Sequence, residues 1–203
     1  KVVLSGAGGD ELFGGYPWRY YSALNSKNFE EYSLDYYNYW QRLLSKKERE
    51  DVFAPIWADV KELNPYDIFS NVYKNLNRKL EGPEDSINHS LYFEAKTFLH
   101  GLFVVEDKLS MAHGLETRVP FMDNDLVDFA MRCPVSFKIK RISENIRLNE
   151  NETGDKATKY FEKTNDGKQI LRDVMGRYIP ADITEGLKQG FSAPDLSLIH
   201  ISE

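Results

Sequence analysis

The sequence of 203 residues carries a net charge of −6, with 41% hydrophobic and 29% charged residues and a single cysteine, Cys133. These proportions fit a globular chain with one substantial core. A lone cysteine excludes an internal disulfide and argues against a thiolate zinc site. The acidic balance, without a Lys/Arg stripe, argues against a nucleic-acid surface. No run approaches the ~20 apolar residues of a membrane-spanning helix, and no signal-peptide pattern opens the chain. The first residue is Lys1 rather than Met, so a piece of a longer, cytoplasmic protein is expected.

In chain order, Val2-Val3-Leu4 is a short apolar run stopped by Gly6 and predicts the end of a buried strand. Asp10-Glu11-Leu12-Phe13 reads as a helix start, its acids suited to the positive end of the dipole. From Tyr16 to about Leu80 the pattern is helical and aromatic, with spacings of three and four at Phe29, Tyr32, Tyr36, Tyr39 and Trp40. This aromatic band is read as packing surface rather than as a ligand site. Glu81-Gly82-Pro83 predicts a loop, and Asp85 or Ser86 the cap of one long helix to Met111. Thr117-Arg118-Val119-Pro120-Phe121 ends that helix. Asp123 or Asn124 then caps a short helix through Met131, closed by Pro134. Arg141 to Asp155 reads as a polar surface loop, Ile170 to Tyr178 as a helix, and Pro180, Gly186 and Gly190 as turns. The chain is thus expected to be mostly helix, with one strand feeding a glycine loop.

That loop carries the chemistry. In Ser5-Gly6-Ala7-Gly8-Gly9-Asp10, a strand passes through glycines into a helix N-terminus. Gly6, Gly8 and Gly9 let backbone N–H groups approach an anion closely, and the helix dipole favours negative charge there. The Ser5 hydroxyl suits a phosphate oxygen. Asp10 suits Mg²⁺, which bridges carboxylate and phosphates. The alternative is a tight turn with a capping Asp. His100 and His113 read as packed, hydrogen-bonded histidines. Arg118 reads as holding a carboxylate across a buried turn, with Asp123 as its partner or as a helix cap. Glu116 is read as structural alongside it.

The full string Ser5-Gly6-Ala7-Gly8-Gly9-Asp10-Glu11-Leu12-Phe13-Gly14-Gly15-Tyr16 resembles the first motif of glutamine-dependent asparagine synthetases. Lys108-Leu109-Ser110-Met111-Ala112-His113-Gly114-Leu115-Glu116-Thr117-Arg118-Val119-Pro120-Phe121-Met122-Asp123 resembles a second. Gly167-Lys168-Gln169-Ile170-Leu171-Arg172, followed by Leu187-Lys188-Gln189-Gly190-Phe191, resembles a third. All three stand in the family's order, and the resemblance covers residues 1–194.

The resemblance implies a fold, namely a mostly α fragment of an α/β domain. Strands of an adenine-nucleotide α-hydrolase-like sheet, of the pyrophosphatase-loop kind, would precede a helical region. It also implies a reaction. Aspartate and ATP give β-aspartyl-AMP and pyrophosphate, and ammonia derived from glutamine attacks the activated carbonyl. Mg²⁺ and ATP are the implied cofactors. Ser5 and Gly6 would touch the nucleotide, Asp10 would hold Mg²⁺, and Lys168 would stabilise the charged transition state. Glu106 is the nearest acidic candidate for a general base, with Asp107 next. In the full-length protein a homodimer is an open expectation.

Several departures qualify this. The Ser-Gly-Gly-x-Asp-Ser pyrophosphate string is absent, as is the glutaminase domain with its N-terminal Cys, for which Cys133 is misplaced. The chain is therefore expected to be the second half of a synthetase domain, inactive alone. Ala7 stands where relatives carry an acid or Tyr, and His100-Gly101 where many carry acids. Ala7 keeps open a related enzyme that amidates another carboxylate or closes a β-lactam. A non-catalytic helical binding module is the remaining alternative. Residues 195–203 depart from the family pattern and read as a non-native tail.

Overall fold

The computed structural model describes residues 1–41, 44, 46–140, 142 and 166–186. Strand β1 (Val2–Leu4) pairs in parallel with β2 (Glu116–Arg118), Val3 opposite Thr117. Parallel neighbours need a long crossover, and here it is the run of helices between them. Val2, Val3 and Leu4 are 67%, 44% and 74% exposed. The strand therefore forms where expected but is not buried, because β2 is its single partner among the described residues.

Helices α1 (Gly9–Phe13) and α2 (Pro17–Tyr21) follow the glycine loop. The longer α3 (Phe29–Trp40) starts at Asn28, whose side chain accepts from Glu31 N at 2.9 Å, while Glu31 accepts from Lys27 N at 2.9 Å. The first bond satisfies an N–H that a helix start otherwise leaves orphaned, and the second ties the residue before the cap to the helix. Helices α4 (Lys46–Val52), α5 (Trp57–Val60) and α6 (Pro65–Asn71) continue the helical stretch.

The single helix expected up to Met111 is two, α7 (Pro83–Lys96) and α8 (Phe98–Ala112). At the break, Thr97 Oγ1 donates to Phe93 O at 2.7 Å, a side-chain bond that competes with the helical ladder. The start also differs. Gly82 occupies the cap position and Pro83 the first turn, where a missing N–H costs nothing. Asp85 reaches back to accept from Glu81 N at 2.7 Å. His100 and His113 are exposed rather than packed. Arg118 pairs with Glu116 at 3.1 Å on the surface, not across a buried turn. Asp123 is the cap of α9 (Asn124–Arg132), accepting from Asp125 N and Leu126 N.

Helices α10 (Val135–Lys138), α11 (Gln169–Met175) and α12 (Ala181–Thr184) complete the described chain. The predicted surface loop (apart from Ile142), the Leu187–Phe191 motif and residues 195–203 lie outside the described residues.

The aromatic band forms the core, as the sequence predicts. Phe29, Tyr32 and Tyr36 of α3 pack with Phe69 and Tyr73, and Trp18, Tyr20 and Tyr21 of α2 pack with Ile87 and Leu91 of α7. A third cluster sets Leu12 and Phe13 of α1 against Ala130 of α9. Buried hydroxyls need partners, and Tyr32 finds Ser90 at 3.0 Å and Tyr73 at 3.2 Å. The architecture is mostly helical with a small parallel sheet, compatible with part of an α/β domain. No helix among the described residues is long and apolar enough to cross a membrane.

Candidate active site

The chain leaves β1 with one further ladder bond, Ser5 N to Arg118 O at 2.8 Å. It then turns sharply: Ala7 N donates to Ser5 Oγ at 3.2 Å and Gly9 N to Gly6 O at 3.3 Å. Gly8 has a φ of 92°, a left-handed conformation that glycine adopts without strain. A side chain there would also meet Met122 Sδ at 2.8 Å. The helix begins only at Gly9, so residues 6–8 are a turn at the head of α1, as the sequence predicts.

Lys168 reaches this turn from the far end of the chain. Lys140 N donates to Asp166 O at 2.9 Å, and Lys168 N donates to Phe13 O at 3.1 Å, the second bond docking the incoming segment on the end of α1. Lys168 is the single non-glycine residue with positive φ (57°) among those described. A left-handed non-glycine costs of order 1–3 kcal/mol and persists only where its surroundings enforce it. Here the outcome is a contact: Lys168 Nζ lies 2.9 Å from Asp10 Oδ1. The side chains are 29% and 22% exposed, so the pair sits at the mouth of a recess. An open cavity of about 430 Å³ spreads from it. Asp10, Lys168 and Arg172 form a polar side, and Phe121, Leu171 and Met175 an apolar one. Gly6 and Gly9 add backbone to the lining.

Of the residues singled out from sequence, the fold brings Gly6, Gly9, Asp10 and Lys168 to this one cavity. Ser5 and Gly8 flank it, Gly8 turned toward Met122. Glu106 is half-buried in the middle of α8 and does not line it. Asp10 brings the single carboxylate to the lining, and no group of three potential metal ligands occurs among the described residues. One carboxylate is nevertheless how Mg²⁺ is commonly held when phosphates and water complete its shell. A carboxylate also offers about four lone-pair sites, which the Lys168 contact does not exhaust.

Beneath the site lies a buried polar layer that sequence reasoning missed. The Arg19 guanidinium stacks 3.8 Å over the Tyr16 ring and lies 3.6 Å from Glu94, a carboxylate with no exposure. Tyr20 and Tyr36 hydroxyls each donate to Glu94 at 3.2 Å. Burial pushes Glu94 up to about 7, against the opposing pull of Arg19. Burial, then the charges of Asp10 and Glu11, hold the Tyr16 hydroxyl in its protonated form. The one signal in the sequence was a charged residue directly after Leu91-Tyr92-Phe93, which periodicity alone does not place inside.

The asparagine synthase family model matches residues 1–200. A protein of Methanocaldococcus jannaschii with the provisional name asparagine synthetase (glutamine-hydrolyzing) 1 is 30% identical over 190 residues, covering 89% of this chain and 25% of that protein. Asparagine synthetase (glutamine-hydrolyzing) 3 of Bacillus subtilis is 29% identical over 144 residues, covering 68% of this chain and 21% of its own length. Asparagine synthetase (glutamine-hydrolyzing) 1 of the same organism is 27% identical over 218 residues, covering 95% of this chain and 30% of its own length. No solved structure gives a significant match. The chain thus spans between a fifth and a third of the length of these relatives. It belongs to the asparagine synthase family.

Proposed function

We propose that residues 1–194 are the second half of the synthetase domain of a glutamine-dependent asparagine synthetase, and that the glycine turn and Lys168 form its phosphate-handling side. The reaction is activation of aspartate by ATP to β-aspartyl-AMP, followed by attack of glutamine-derived ammonia. The observation that carries this reading is the meeting of Lys168 Nζ with Asp10 Oδ1 at the glycine turn. Two opposite charges from distant segments, beside exposed backbone, suit a site where phosphate charge must be balanced.

Each residue has a role in this reading. Gly6 offers exposed backbone to the phosphates, and Gly9, whose N–H donates to Gly6 O, holds that turn in shape. The Ser5 hydroxyl accepts from Ala7 N, which leaves its own hydrogen for a phosphate oxygen. Asp10 would hold Mg²⁺, which would supply charge neutralisation between phosphate oxygens. Lys168 presents a compact cationic charge to the transition state. Glu106 stays a candidate general base, although it is not among the residues that line the cavity. Ala7 supports one competing reading, a relative acting on another carboxylate, since no carboxylate or phenol stands at that position.

Asp10→Asn in the full-length protein tests the proposal, because it keeps shape and removes charge. Aspartate-dependent ATP–pyrophosphate exchange is expected to fall at least a hundredfold while glutaminase activity persists. Equal loss of both would mean misfolding, and unchanged exchange would remove Asp10 from the site. Exchange that depends on a different carboxylic acid would favour the competing reading.

A further inference from the structure

We infer that Arg172 is a positioning residue that holds Lys168 against Asp10, an assignment that rests on the functional reading above. Three carbonyls converge on its guanidinium. Nε donates to Gly167 O at 3.2 Å, and Nη1 donates to Thr184 O and to Gly186 O, the latter at 3.4 Å. The first acceptor is the peptide directly before Lys168. The other two belong to the last residue of α12 and to Gly186, just beyond its cap Glu185. Arg172 N also donates to Lys168 O at 3.0 Å, so one residue bonds both peptides that flank the Lys168 Cα.

This arrangement answers why Lys168 tolerates its left-handed φ of 57°. The conformation aims the side chain back over α1, and it lasts only if neighbouring atoms oppose relaxation. On one side Lys168 N is anchored to Phe13 O. On the other, Arg172 grips Gly167 O and ties it to α12. A planar fork with several fixed donors suits a task that joins carbonyls of two segments. Arg172 also lines the same cavity as Asp10 and Lys168. Its Nε and Nη1 donate to backbone carbonyls, so it acts through Lys168 rather than on a substrate.

The test reads Lys168 directly, in the whole chain and without substrate. Lysine acetylation by acetic anhydride is followed residue by residue with mass spectrometry, exposed Lys61 and Lys108 serving as internal references. Asp10→Asn sets the scale: losing the partner should speed acetylation of Lys168 at least threefold. Arg172→Met, close in length and without donors, is expected to give a comparable rise at Lys168 and none at the references. Arg172→Lys restores donors to the carbonyls and should recover part of the protection. If Asp10→Asn speeds Lys168 and Arg172→Met leaves it at the wild-type rate, the positioning role is overturned. If Asp10→Asn itself has no effect, the ion pair beneath the functional reading fails instead, and the inference falls with it. Should Arg172→Met speed every lysine through unfolding, Arg172→Lys decides. A wild-type rate at Lys168 in Arg172→Lys overturns the role, because a single ammonium cannot reproduce the planar fork that ties the two segments. Selective intermediate speeding supports it.

Discussion

A Cβ placed on Gly15 would overlap the Asp10 carboxylate, whereas one placed on Gly167 would overlap the backbone carbonyl of Gly14. These two glycines sit on either side of the Asp10–Lys168 contact. At Gly15 the carboxylate can swing away, but the Asp10 Cβ, 2.7 Å from the added atom, is fixed to its backbone, and at Gly167 the obstacle is a carbonyl held in a turn. Gly15→Ala and Gly167→Ala are therefore each expected to destabilise by about 1–3 kcal/mol, the usual range for overpacking. Denaturant midpoints of the two variants check this, and a wild-type midpoint in either would contradict it. At this scale the sequence was most informative where chemistry is local. The run Ser5-Gly6-Ala7-Gly8-Gly9-Asp10 needs only its own backbone to turn, so the loop and helix start were legible. Lys168 was legible through motif resemblance alone. Its left-handed backbone depends on Phe13, Gly14 and Arg172, which no window of neighbouring residues contains. Glu106, an acidic residue beside a motif, lies in α8 and is not among the residues that line the cavity.

Among the elements, α7 crosses the molecule with Glu94 buried between α2 and α3. Periodicity predicted a helix here but neither its break at Thr97 nor its buried acid. A threonine that bonds its own helix carries no Pro or Gly signature, and a carboxylate reads as surface until a guanidinium and two phenols are found around it. This site predicts a pH effect. Glu94 rises from 4.5 to about 7 in the fold, chiefly through burial. Between those values the native state binds more protons than the unfolded chain, so stability from this group declines as pH rises. Glu94→Gln does not titrate. The stability of the wild type relative to Glu94→Gln should fall from pH 5 to pH 8 by up to about 3 kcal/mol. His89, whose pKa burial lowers, opposes this trend equally in both proteins and cancels. Chemical denaturation at four pH values suffices. A difference that stays flat or grows with pH would mean that Arg19 and the tyrosines keep Glu94 ionised throughout.

For the whole molecule, the decisive feature is apolar surface beside the small sheet. Val2, Val3 and Leu4 of β1 are exposed, and on α8, which packs beside β2, so are Leu102, Val105 and Leu109. The last three are spaced three and four apart and form one stripe. An unpaired strand edge and a contiguous apolar stripe both invite association. The core around Tyr32, Tyr36 and Phe69 includes none of these residues and should keep the helices folded meanwhile. The chain is thus expected to self-associate with a dependence on concentration while retaining its helical signal. Changing Val105 and Leu109 to glutamate should suppress that association, since two charges break the stripe where no buried contact is lost: the wild-type side chains are 56% and 61% exposed. Sedimentation velocity across a hundredfold range of concentration, run on both proteins with circular dichroism alongside, separates the outcomes. A wild type that stays monomeric at every concentration would show that the exposed strand and stripe are too small to bind one another. A double variant that loses its helical signal would show that α8 contributes to the core more than its exposure indicates.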